Sequence, residues 1–171
     1  MSNGMSFLEF TEVHQWLDQM FLAHQTALFS LNVTAAHTRL KEYERNLCLH
    51  IDDEDNLLIP IYDARTSDVP GGAVELFTGE HEKIKHFLAE FHDLLNGLPA
   101  LRELPLKHGI IKLFDRETIY KGLLEHHHAR EQNILFPWLD KVTSIEEKQT
   151  LLEQCASLTA FKTSQTGESG G

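Results

Sequence analysis

Cysteine is scarce. There are two, Cys48 and Cys155, and neither belongs to a CxxC pair. Thiolate metal sites and redox dithiols therefore have no support. Two thiols without a secretion signal point to a reducing, cytoplasmic setting. No apolar stretch approaches the ~20 residues of a membrane span, so a membrane is not an expected partner. Basic residues are outnumbered, 15 against 26 acids, for a net charge of −11. That field repels phosphate backbones and argues against nucleic acid. Glycine is sparse outside Gly71, Gly72 and the last few residues, and strand-like alternation is absent over any useful length.

What is present reads as helices. A chain of 171 residues with 42% apolar content suits one domain, and one of this size buries roughly 70% of the surface its unfolded chain exposes. The pattern predicts a first helix from about Thr11 into the low thirties. A second should start near Thr34 or Thr38, both able to cap it, and run to about Ala64. RTSDVPGG, residues 65–72, breaks the chain. A third helix covers about Ala73 to Asn96, and a fourth about Lys107 to Val142, across a Pro-rich connection at 97–106. Ser144 and Glu147 form a capping box for a short fifth helix reaching about Phe161. The expected fold is all-α: an up-down-up-down four-helix bundle with a short fifth C-terminal helix on its outside. Residues 1–161 make one domain, and 162–171 read as a tail too polar and glycine-rich to order itself.

Polar residues interrupt the apolar seams of all four long helices. The second helix runs 40, 43, 47, 50, 54, 57, 61, with His50 and Glu54 among them. The third places His81 on its seam, and the fourth places His127 and Glu131. In the first, the seam 13, 17, 20, 24, 28, 31 contains His24. A lone seam histidine is more often a hydrogen-bonded core residue than a ligand. Six such groups together are another matter, because each buried carboxylate costs several kcal/mol without a partner, in a fold stable by roughly 5–15 kcal/mol. A pair of metal cations would satisfy all of them. Neutral imidazole and carboxylate suit iron, with manganese or zinc as substitutes.

An internal repeat supports this grouping. HIDDEDNLLIP, residues 50–60, and HHAREQNILFP, residues 127–137, share His, Glu four later, Asn six later and Pro ten later. The four-residue step puts His and Glu on one helix face. The prolines read as structural, kinking or helping to end each helix. Antiparallel helices should place groups of one level at equal distances from the turn between them. His81 and the middle of the 50/54 pair straddle residue 66.5, inside the break. His81 and the 127/131 pair straddle 105, inside the Pro-rich connection. His24 and the 50/54 pair straddle 38, later than the turn signal at Asn32–Thr34.

The order and spacing resemble the hemerythrin-like family and its repeated His…His-x-x-x-Glu motif. The resemblance covers about residues 11–142 and rests on AHQTAL around His24, HIDDEDNLLIP, GEHEKI around His81 and HHHAREQNILFP. It implies two iron ions in the bundle core, bridged by the two carboxylates and a solvent-derived oxo or hydroxo group. Two departures from the oxygen-carrying members stand out. Those carry a second histidine four residues from the one on the third helix, where this chain has Lys85 and Phe77. Their last helix uses an aspartate five after its histidine, where this chain has Glu131 four after His127. Four histidines instead of five leave an open or water-filled position on each iron. The ligand order looks closer to the hemerythrin domain of iron–sulfur cluster repair proteins, without their cysteine-bearing N-terminal segment.

Eleven histidines exceed the expected ligands. His126 and His128 flank His127 and read as supporting or surface residues. His14, His37, His86, His92 and His108 read as solvated or interfacial, His86 being the best of them for an extra contact. Three roles fit. One is a module that binds or senses O2 or NO, or handles iron. Another is an enzyme-like role in cluster repair or in peroxide or NO redox chemistry. The third is a bundle whose metal is only a staple.

Overall fold

The structure is a computed structural model, and it describes residues 5–167. All its regular elements are helical, with no strand among the described residues. A 3-10 turn at Phe7–Glu9 leads into the first helix, Phe10–Phe29. The second long helix runs Val33–Asp53, through a wide π turn at Glu54–Leu58, and on through Ile59–Arg65. The third is Val74–Gly97. The fourth repeats the second: Glu103–Arg130, a π turn at Glu131–Leu135, then Phe136–Val142. It starts before Lys107 because Pro105 fits a first helical turn, where the missing N–H has no partner to lose. Two shorter helices come after it, Ile145–Gln154 and Ala156–Gly167.

The first turn lies where Asn32 signals it. Leu31 adopts φ 58°, Asn32 N–H donates to Ala27 O, and Leu31 N–H donates to Leu28 O. These are the two bonds of a Schellman stop. The Asn32 side chain then caps the second helix by accepting from Ala35 N–H at 3.0 Å, in place of Thr34 or Thr38.

The repeated prolines neither end their helices nor stand in regular α-turns. Each comes just after a π turn that begins at a repeated glutamate, with Ile59 N–H donating to Glu54 O and Phe136 N–H to Glu131 O. An extra residue in the turn accommodates a proline that cannot donate and that would clash with the carbonyl four back. The repeated asparagines share in this. Asn56 donates to Asp52 O at 2.8 Å and Asn133 to Ala129 O at 2.6 Å. Such bonds to the preceding turn bend a helix.

The shorter helices lock the bundle's ends. The capping box of Ser144 and Glu147 forms, and Arg65 pairs with Glu147 at 2.7 Å. The chain after Gln154 departs from the expected single helix. Cys155 is extended, and the next helix starts on a carboxylate from elsewhere: Asp53 accepts from Ala156 N–H, Ser157 N–H and Ser157 Oγ–H. That last helix continues to Gly167, because Leu158 is buried and Phe161 packs against Trp16. Residues 162–167 are thus helical where an unordered tail was expected, and 168–171 lie outside the described residues.

Candidate metal centre

Two groups of buried imidazoles and carboxylates meet in the bundle core. One is His14, His50, Glu54 and Glu131; the other is Glu54, His81, His127 and Glu131. In each, one donor atom per residue lies within 4.8 Å of all the others. The two glutamates belong to both. Each is the first residue of its π turn, so the widened turns carry the shared carboxylates.

The inward-facing nitrogens and oxygens lie close to one another. His81 Nε2 is 3.1 Å from Glu54 Oε2, and His127 Nε2 is 2.6 Å from Glu131 Oε1. On the other side His14 Nε2 is 2.8 Å from His50 Nε2 and 3.2 Å from Glu131 Oε2, while His50 Nε2 is 3.6 Å from Glu54 Oε1. Glu54 Oε1 and both Glu131 oxygens are buried without a completed hydrogen bond. Orphaned carboxylate oxygens are costly in an apolar core. A cation between these atoms removes that cost, and the donor set of imidazole and carboxylate fits one.

His50, Glu54, His81, His127 and Glu131 are therefore brought together. His24 is not. Ten residues beyond His14 on one helix, it sits about 15 Å away along the axis at 1.5 Å per residue. Its two ring nitrogens are already engaged: Nδ1–H donates to Ala36 O at 2.7 Å, and Nε2 lies 2.7 Å from Glu117 Oε1. Gln25 donates to the other Glu117 oxygen. His24 and Glu117 are both 0% exposed and make a self-contained polar pair. By helix register, a layer of Phe21, Tyr43, Phe91 and Tyr120 lies between it and the centre. His14, read from the sequence as solvated or interfacial, takes the expected place of His24. The signal that finds it is the turn: residues 14 and 52 straddle 33, at the Schellman stop. His86, His108 and His126 are exposed.

The surroundings of the two halves differ. His81 Nδ1 is 2.8 Å from Asp55 Oδ1, and His127 Nδ1 is 3.0 Å from Glu80 Oε2, which Arg130 holds in turn. A carboxylate behind the ring fixes the tautomer and leaves Nε2 facing inward, the usual support of a metal-binding histidine. His14 Nδ1 and His50 Nδ1 have no partner.

Without a cation, protons take up part of the role. Burial lowers the His81 imidazole, but contacts with Glu131 and Glu54 outweigh it and lift it to about 10. Burial also lowers His127, and the Glu131 charge lifts it to about 9. Burial and the nearby Glu131 charge push Glu54 up to about 8. Burial acts upward on Glu131 as well, yet His127, with His14 and His81, holds it well below the usual range. His50 is kept neutral by burial and by His14.

Antiparallel helices around a doubly shared set of buried carboxylates and imidazoles define a cation-binding bundle. The chain belongs to the hemerythrin HHE cation-binding domain family, whose model matches residues 72–158. That segment holds His81, His127 and Glu131; His14, His50 and Glu54 lie before it. No curated protein and no solved structure matches the chain.

Proposed function

We propose that the chain holds two iron ions, one on His14 and His50 and one on His81 and His127, with Glu54 and Glu131 shared between them. The observation that carries this reading is the membership of both glutamates in both groups. Iron bound there would supply a redox-active pair. Each half offers two imidazoles and shares two carboxylates, fewer donors than an octahedral ion accepts. A further imidazole does not come from the third helix. Lys85, four after His81, is partly exposed and lies 3.6 Å from Glu82. Ions held by so few protein donors would keep room for a further ligand, which suits binding or sensing of O2 or NO and reaction with them better than reversible O2 carriage.

Two measurements test this. Protein expressed with ample iron should contain about two irons per chain. Its reduced form should oxidise in air, bind NO, and fail to return to the reduced spectrum under vacuum. A single tetrahedral zinc, or full recovery of the reduced spectrum under vacuum, would overturn the respective part.

A further inference from the structure

A cleft of about 570 Å³ opens between the first and fourth long helices, outside the ligand set. Asp18, Lys121 and Glu125 are exposed at its rim, and Phe21, Leu124 and His128 form its floor. His128 stands between this cleft and the metal centre. Its ring lies flat on the His14 ring, with centroids 3.8 Å apart and planes within 7°. His14 in turn reaches Glu131 at 3.2 Å. His128 is thus the one residue of the cleft's lining that stacks on a candidate ligand ring. His128 Nε2 is shut off from solvent and has no hydrogen-bond partner. On the opposite half the outer ring nitrogens are engaged, that of His81 by Asp55 and that of His127 by Glu80, which pairs with Arg130.

We propose that this cleft is the vestibule through which small neutral molecules reach the centre, and that His128 is its gate. The vestibule is wider than a diatomic molecule needs, and the constriction is the His128 ring on His14. Two carboxylates and one ammonium at the rim discourage anions, and the apolar floor of Phe21 and Leu124 suits neutral molecules of the size of NO. His128 is a positioning residue here, acting on passage and on the His14 ring. The proposal rests on the dinuclear reading above.

NO is the probe, mixed by stopped flow with the iron(II)-loaded full chain, with metal content measured on the same samples. Three variants separate the causes. Ala129→Trp fills the cleft from an exposed helix position and should slow NO association about tenfold. His128→Ala opens the wall and should speed it by a similar factor, and should also speed iron loss to a chelator. His128→Phe keeps a flat ring on His14 and should stay within about twofold of the parent rate. Two irons per chain with parent-like association in both Ala129→Trp and His128→Ala would overturn the vestibule while leaving the centre standing. A parent chain that binds no metal pair would overturn the proposed function, and the gate with it.

Discussion

His14 and His24 are both buried on one helix, yet their partners are opposite in kind. His14 has one nitrogen facing two ligand candidates and the other unpaired. His24 has both nitrogens engaged, by a carbonyl and by Glu117. Loss of either ring should therefore register in different measurements. His14→Ala should lose metal from its half of the centre. His24→Ala should keep metal stoichiometry and instead lose about 3–5 kcal/mol of stability, because Glu117 is left buried and uncompensated. Metal analysis together with denaturant unfolding distinguishes them. Metal retained in His14→Ala but lost in His24→Ala would reverse the assignment.

The same local devices recur at the level of elements. Two helices meet their proline with a π turn, and both turns begin at the shared glutamate. The extra residue rotates the remainder of each helix, so the apolar stripe continues through Leu58 and Leu135 while the carboxylate faces inward. The first helix stops by a Schellman motif with leucine at the left-handed position, Leu31 at φ 58°. Glycine is the residue that adopts this conformation without a Cβ penalty. Leu31 is exposed and gives up little packing. Leu31→Gly should raise stability by about 1 kcal/mol, read from the urea midpoint. Unchanged or lower stability would show that the Leu31 side chain holds the turn by contacts that outweigh its strain.

For the molecule as a whole, protons and metal compete for one set of donors. In the metal-free protein His81, His127 and Glu54 are raised to about 10, 9 and 8. Each must give up its proton to become a ligand. Metal affinity should therefore rise between pH 6 and pH 8, with protons released on binding. Titration calorimetry in two buffers of different ionisation enthalpy measures both, and equal affinity at the two pH values would refute the coupling. The metal-free fold should move the other way. A group raised on folding stabilises fully below its unfolded value and loses that contribution as pH climbs to its folded value. For Glu54 the loss runs from 4.5 to about 8, and for the two imidazoles from 6.5 to about 9 and 10. Metal-free protein should thus weaken toward alkaline pH while metal-loaded protein gains. No helix among the described residues is long and apolar enough to cross a membrane.

Local patterning determined most of the helical architecture. Seam periodicity, Gly71–Gly72, Asn32 and the Ser144 capping box mark where helices begin and end, because caps and turns depend on near neighbours in the chain. The His-x-x-x-Glu repeat was legible for the same reason, since a four-residue step fixes a shared helix face. Tertiary structure decided what depends on partners from other helices. Which first-helix histidine meets the centre depends on the level at which two helices face each other. His14 and His24 both point into the core, and only the position of the Leu31 turn sets His14 beside His50. Whether a buried histidine needs a metal depends on what faces it, and Glu117, 93 residues away in the chain, answers that for His24. The helix through 162–167 exists because Asp53 caps its start from another element and Trp16 covers Phe161. Long-range partners of this kind leave no period in the sequence, since they are chosen by packing between helices.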